Sequence, residues 1–233
     1  GAAGYHAVAF DARGHGDSDW ADPDAYGPDF MVEDLHTVTR ALGEEKPILV
    51  GASMGGAISL VAVGEETIAA AALVLVDMAP QTESEGRKKI QEFMAQKPDG
   101  FDSLEEVAEA ISNYQPHRKR PRNLDGLAKN VRLGAGGKYR WHWDPARRAQ
   151  LNKDGSRRER LTKCADQLTL PTLLVRGGLS DVLSEEGAQS FLKQCPHAEY
   201  VNVENAAHMV AGDRNDIFAD SVIGFLQRVA PAG

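Results

Sequence analysis

Cysteine and long hydrophobic runs are both scarce in this 233-residue sequence. Its two cysteines, Cys164 and Cys195, have neither metal-ligand spacing nor the density of a disulfide scaffold, which favours a reducing compartment. The longest apolar run, residues 68–76, is far shorter than the roughly 20 residues that span a bilayer, and no charged-then-apolar leader opens the chain. We therefore expect a soluble, cytoplasmic protein without a membrane span.

Basic charge is also limited, and it is concentrated in one segment. The net charge of −8 argues against nucleic acid as the general partner. Residues 116–163 nevertheless carry fifteen Lys and Arg against four Asp and Glu. This asymmetry indicates a separate subdomain with a solvated basic surface, and the weaker alternative is a role with an anionic substrate or a membrane surface. A small molecule remains the expected partner, and the sequence does not indicate an oligomeric state.

Strand and helix signals alternate at both ends of the chain but not in its middle. Near-continuous apolar strands separated by helices predict a parallel sheet that is covered on both faces. The middle carries helical segments and Gly-rich and Arg-rich stretches, with no persuasive strand. The sequence therefore predicts an α/β core interrupted by a mainly helical insertion. The predicted parts are core residues 1–80, insertion 81–166 and core 167–233, with strands expected at 5–11, 47–51, 71–77, 171–178 and 198–203.

One serine stands between glycines at a predicted strand-to-helix junction. Gly51, Ser53 and Gly55 form the pattern G-x-S-x-G, in which missing side chains let the chain turn sharply and hold the serine exposed. The first turn of the following helix directs N–H groups and the positive end of its dipole toward the hydroxyl. The pattern predicts a nucleophile, and the alternative is a serine that only caps the helix.

A serine hydroxyl is a weak nucleophile until a histidine takes its proton and an acid orients that histidine. Asp181 and His208 each follow a predicted strand in the C-terminal part of the chain. The order serine, acid, histidine is that of the α/β-hydrolase fold. Two alternatives stay open for the acid, because Asp181 could instead cap the helix that begins near Ser184, and Asp77 follows an earlier strand.

With these residues in place, the sequence resembles the α/β-hydrolase superfamily over essentially its whole length. It is particularly similar to the capped branch with esterases, cofactor-free haloperoxidase-like proteins and epoxide hydrolases. The resemblance favours Asp181 over Asp77, selects His208 among seven histidines, and gives His15 a role in its turn or in the pocket. The motifs that carry it are FDARGHGDSDW (10–20), GASMGG (51–56), LVLVDMAP (73–80), RGGLSD (176–181) and AAHMVAGD (206–213).

The resemblance implies a cofactor-independent serine hydrolase that cleaves an ester-like substrate through an acyl-enzyme, with no metal. A serine nucleophile counts against epoxide hydrolysis and dehalogenation, for which the similar enzymes use a carboxylate. Perhydrolysis and carbon–carbon bond hydrolysis remain variants of the same chemistry. The alternative from another class is a non-catalytic ligand-binding module that retains the fold.

The resemblance also assigns the oxyanion donors and the substrate pocket. The N–H of Met54 is one expected donor, and the other would come from a loop after the third strand. We expect that loop and the first strands to be missing from this chain. The insertion is expected to form a lid over Ser53. Within it, Trp141, His142 and Trp143 predict either a wall of the substrate pocket or an aromatic anchor, and the sequence favours neither.

Overall fold

Four parallel strands form the central sheet. The computed structural model describes residues 1–118, 124–150 and 154–232. In the sheet order, β1 (Ile48–Ala52) is followed by β2 (Ala72–Val76), β5 (Thr172–Gly177) and β6 (Glu199–Val203), and each neighbouring pair is parallel. A separate antiparallel pair consists of β3 (Val131–Leu133) and β4 (Tyr139–Trp141).

Helices connect the strands of the sheet. Parallel neighbours cannot be joined by a tight turn, so each connection in the sheet carries at least one helix. The helices are α1 (Pro28–Ala41), α2 (Met54–Gly64), α3 (Ser84–Ala95), α4 (Leu104–Tyr114), α5 (Asp154–Asp166), α6 (Glu185–Gln194), α7 (Val210–Asp213) and α8 (Asn215–Val229), with 3-10 turns at Pro23–Tyr26, Asp125–Lys129 and Pro145–Gln150. Among the described residues, no helix is both long enough and apolar enough to cross a lipid bilayer.

Both faces of the two central strands are buried, which explains their almost unbroken apolar sequence. On one face, Leu73 and Leu75 pack into a cluster that includes residues of α2 and α6. On the other face, Val74 and Val76 pack into a cluster with Phe225 of α8. The predicted parallel sheet with helices on both faces is confirmed.

The first predicted strand does not form. Residues 5–11 adopt neither strand nor helix, and Val8 and Phe10 remain 47% and 45% exposed. An apolar run becomes a strand only when a neighbouring strand accepts its hydrogen bonds. Within the described part of the chain, β1 pairs with β2 alone, and no strand lies beside residues 5–11.

The chain divides into two compact units. The first consists of residues 1–9, 27–86 and 153–233, and the second of residues 10–26 and 87–152. This division differs from the predicted insertion of 81–166, parts of which, 119–123 and 151–153, lie outside the described residues. Residues 10–26 belong to the second unit, whereas α5 belongs to the first. Helix α5 packs closely on α2, since a Cβ added at Gly64 would lie 2.4 Å from the Cβ of Cys164.

The second unit has its own hydrophobic cluster, formed by Phe101, Val107, Ala110, Val131 and Trp141. It also contains the β3–β4 hairpin, where the sequence predicted a mainly helical insertion. A glycine turn makes the hairpin possible, since Gly137 has φ +74° and its N–H donates to the carbonyl of Gly134 at 3.0 Å.

Candidate active site

Ser53 lies on a sharp turn between β1 and α2. Its backbone has φ 47° and ψ −109°, a conformation that residues other than glycine rarely adopt. The backbone N–H of Ser53 donates to the carbonyl of Val76 at 3.1 Å, which ties the turn to the end of β2. The structure thus places the predicted nucleophile on the predicted strand-to-helix turn.

The glycines around Ser53 are not equally constrained. A Cβ added at Gly51 would lie 2.5 Å from backbone atoms of Gly55 and Gly56, and one added at Gly56 would lie 2.8 Å from the carbonyl oxygen of Gly51. A Cβ at Gly55 would meet nothing within 4 Å. The close backbone contact in this turn therefore joins Gly51 to the backbone of Gly55 and Gly56, whereas position 55 itself has room for a side chain.

His208 lies in the loop between β6 and α7, and its ring contacts a buried acid. Its Nδ1 is 2.7 Å from Oδ2 of Asp77, and the two side chains are 11% and 0% exposed. Because a carboxylate accepts hydrogen bonds, Nδ1 carries the proton and donates it. In the neutral ring the lone pair is then on Nε2, the arrangement that a general base requires.

Asp77 directly follows β2 and is held by three hydrogen-bond donors. Its Oδ1 accepts from the backbone N–H of Gly177 at 2.9 Å. Its Oδ2 accepts from the hydroxyl of Ser180 at 2.5 Å as well as from His208. The backbone of Asp77 has φ 49°, so the acid lies on a strained turn like that of Ser53. A buried carboxylate is stable only with such partners.

The acid that the structure places at His208 is therefore Asp77, whereas the sequence favoured Asp181. Ser180 directs its hydroxyl to Asp77, and the loop then turns so that the side chain of Asp181 is exposed. The backbone of Asp181 passes over α3, where a Cβ added at Gly86 would lie 2.1 Å from the Asp181 carbonyl oxygen. The sequence offers Asp77 as the alternative acid and gives no signal for Ser180 or Gly177.

The structure does not join Ser53 to His208. Among the described residues, no hydrogen bond links the two side chains. Catalytic hydrogen bonds of this kind are often long in the absence of substrate and tighten in the substrate complex. Met54, the predicted oxyanion donor, is the first residue of α2 and directly follows Ser53.

The second unit contains the three residues that the sequence predicted for a pocket wall or an aromatic anchor, Trp141, His142 and Trp143. Trp141 is 9% exposed and packs in that unit's hydrophobic cluster, with its ring stacked 4.9 Å from that of Trp143. This placement supports the packing alternative for Trp141. His142 and Trp143 are half-buried, and burial is the main cause that lowers the pKa of His142.

His15 belongs to the same unit and stabilises a turn. Its Nδ1 lies 3.2 Å from the carbonyl of Arg13, and its backbone forms an isolated bridge with Trp143. Burial, followed by the positive charge of Arg147, lowers the pKa of His15. The contact with Arg13 is consistent with the predicted role in the turn.

Neither cysteine has the environment of a nucleophile. Both are buried, and the Sγ of Cys195 donates to the carbonyl of Ala165 at 3.1 Å. Burial raises the pKa of Cys195 to about 11 and also raises that of Cys164. Within the described ranges, no three His, Cys, Asp or Glu side chains are grouped as metal ligands would be.

Comparison with known proteins gives a family match over most of the chain. Residues 2–214 match a family model described as the alpha/beta hydrolase fold. Esterase Rv0045c of Mycobacterium tuberculosis is 28% identical over 96% of this chain and 75% of its own length. The sn-1-specific diacylglycerol lipase ABHD11 of Mus musculus is 26% identical over 96% of this chain and 72% of its own length.

A solved structure has the same fold. The crystal structure of E-2-(acetamidomethylene)succinate hydrolase superposes with a TM-score of 0.80 at 23% identity, over 93% of this chain and 79% of that one. At this identity the likeness concerns the fold alone.

Proposed function

Because this chain belongs to the alpha/beta hydrolase fold family, we propose that it is a cofactor-independent serine hydrolase acting on ester-like acyl substrates. The observation that carries the proposal is the pair formed by His208 Nδ1 and the buried Asp77 at 2.7 Å, together with the strained turn that presents Ser53. Similarity to an esterase of Mycobacterium tuberculosis and a diacylglycerol lipase of Mus musculus supports ester substrates.

The proposed mechanism begins with proton transfer from Ser53 Oγ to His208 Nε2. The oxygen then attacks the ester carbonyl, and Asp77 stabilises the imidazolium and holds the ring in orientation. The N–H of Met54 donates to the oxyanion of the tetrahedral intermediate. His208 returns the proton to the leaving alcohol, which yields the acyl-enzyme.

Water completes the reaction. His208 takes a proton from a water molecule, whose oxygen attacks the acyl carbon, and the proton then passes to Ser53 as the carboxylic acid leaves. None of these steps requires a metal or an organic cofactor. The role assigned to Asp77 replaces the one that the sequence assigned to Asp181.

Hydrolysis of p-nitrophenyl acetate by the wild type and by Ser53→Ala tests the proposal. We expect the substitution to lower kcat/KM by at least about 10⁴-fold, because the nucleophile is removed. Ser156→Ala is the matched control, since Ser156 is an exposed serine on α5. Activity that survives in Ser53→Ala would reject the assignment.

A fluorophosphonate probe separates this proposal from a non-catalytic binding module with the same fold. Such probes react with an activated serine. We expect one adduct, located at Ser53 by peptide mass spectrometry and absent from Ser53→Ala. An unchanged intact mass after long exposure would favour the binding module.

A further inference from the structure

The hydroxyl of Ser180 lies between the carboxylate of Asp77 and the backbone of its own loop. Its Oγ is 2.5 Å from Asp77 Oδ2, the same oxygen that accepts from His208 Nδ1 at 2.7 Å. The backbone N–H groups of Val182 and Leu183 reach the Oγ at 3.1 and 3.2 Å. One carboxylate oxygen is therefore shared by the histidine and by a serine from another strand end.

The direction of the Ser180 hydroxyl proton follows from these contacts. A hydroxyl has one proton to donate and two lone pairs that accept. The N–H groups of Val182 and Leu183 occupy both lone pairs, so the single proton points to Asp77 Oδ2. Ser180 is consequently a fixed donor to the carboxylate.

The loop that carries Ser180 is held from both sides. The hydroxyl of Ser184 donates to Glu83 Oε1 at 2.5 Å, and the N–H of Glu83 donates to the carbonyl of Val182 at 2.8 Å. The Nε of Arg176 donates to the carbonyl of Leu183 at 2.8 Å. These contacts fix the position of the donor, as a positioning role requires.

We propose that Ser180 is a positioning residue of the hydrolytic site, which holds the Asp77 carboxylate toward His208 and disperses its charge. The inference rests on the proposed function of Asp77 and His208. A donor on Oδ2 weakens the attraction of this oxygen for the imidazolium. Ser180 therefore shares Oδ2 with His208, and removing its hydroxyl leaves that oxygen to the imidazolium alone.

The other charged side chains near these loops are the same in all the variants compared. Asp213 Oδ2 accepts from the N–H of Ala207, next to His208, at 2.8 Å. Arg176 donates to Leu183 and to Asn202 Oδ1, and Asp181 is exposed. None of these side chains is altered by a substitution at position 180, so a change in pH dependence reports on the hydroxyl.

The test compares Ser180→Ala, Ser180→Thr and Ser184→Ala. Ser180→Thr keeps the hydroxyl, whereas Ser184→Ala removes a hydroxyl from the same loop that contacts Glu83 and caps α6. For Ser180→Ala we expect kcat to fall about tenfold with KM within twofold, and the acid limb of the pH–rate profile to move up by roughly 0.5 to 1 pH unit. Ser180→Thr should restore both.

Ser184→Ala should lower the Tm, because the helix cap is lost, and leave the acid limb in place. An acid limb that does not move in Ser180→Ala, or that moves equally in Ser184→Ala, would overturn the positioning role. A loss of stability alone would not explain an acid limb that moves in Ser180→Ala, with KM unchanged, but not in Ser184→Ala.

Proton NMR separates this inference from the proposed function, because it needs no substrate. The His208 Nδ1 proton should resonate downfield of the amide region and disappear in His208→Gln. In Ser180→Ala we expect it to move further downfield, since Oδ2 then accepts from His208 alone. An unchanged resonance rejects the positioning role. If instead the wild type hydrolyses no ester and the resonance responds as expected, only the proposed function fails.

Discussion

The ends of β2 and β5 lie side by side in the sheet, and each is followed by an aspartate with a different fate. Val76 and Val175 are paired in register near these ends. Asp77 follows β2 immediately and is fully buried, whereas Asp181 comes four residues after β5 and is exposed. The distance of an acid from its strand end therefore decided which of the two meets His208.

The end of β5 contributes donors where the end of β2 contributes the acceptor. Gly177 and Ser180 both donate to the Asp77 carboxylate, one from the last residue of β5 and one from the loop. Carboxyl ends of parallel strands meet at one edge of a sheet, so neighbouring ends can divide one task. Here the negative charge of Asp77 lies at the end of β2, and the donors that stabilise it lie at the end of β5.

For this pair of strand ends, the largest effect is expected from replacing each of the two acids by its amide. Asp77→Asn should lower kcat/KM by about 10³–10⁴-fold, because an amide at this position favours the wrong tautomer of His208. Asp181→Asn, an exposed change, should stay within about threefold. Esterase kinetics on both variants measures the contrast, and a larger loss in Asp181→Asn would reverse the comparison.

A second variant tests whether the end of β5 can supply the acid itself. The Ser180 hydroxyl already lies 2.5 Å from Asp77 Oδ2, so a carboxylate at position 180 can reach the place of that oxygen once it is vacated. We expect the double variant Asp77→Ala/Ser180→Asp to have about tenfold higher kcat/KM than Asp77→Ala. This increase would recover part of the activity that is lost with Asp77. Equal activities would show that position 180 cannot orient His208.

The smallest effect concerns the close approach of β5 to the histidine loop. A Cβ added at Gly177 would lie 2.2 Å from the carbonyl oxygen of Ala207, whereas one at Gly178 would lie 3.2 Å from that of Val203. Gly177→Ala should cost about 1–3 kcal/mol and lower the Tm by roughly 5 °C. Gly178→Ala should lower the Tm by less, roughly 2 °C. Differential scanning calorimetry measures both, and equal melting temperatures would contradict the steric argument.

The sequence predicted the parts of the site that depend on local pattern. Ser53 was found because a glycine-flanked serine followed an apolar run and preceded a helix, and His208 because it followed the last strand. The parallel sheet followed from the alternation of apolar strands and helices. The assignment of both side chains to catalysis stays a prediction until the substitutions are made.

The acid could not be chosen from the sequence, because its choice depends on contacts between loops far apart in the chain. Position 77 is separated by 100 residues from Gly177 and by 131 from His208. Ser180 gave no signal of its own, since a serine in a turn is common. The strand expected at residues 5–11 failed for a similar reason, since a strand forms only with a partner that its own sequence does not contain.

The left-handed backbone at Ser53 and Asp77 sets a limit for engineering this protein. Strain of this kind costs about 1–3 kcal/mol at each position, against a total stability of roughly 5–15 kcal/mol for a domain. Glycine would relieve that strain at either turn. A library screened for heat resistance alone would therefore enrich glycine at Ser53, where the hydroxyl has no hydrogen-bond partner among the described residues to lose. Screens for stable variants should hold this codon constant, or each round would select more stable molecules that lack the proposed nucleophile.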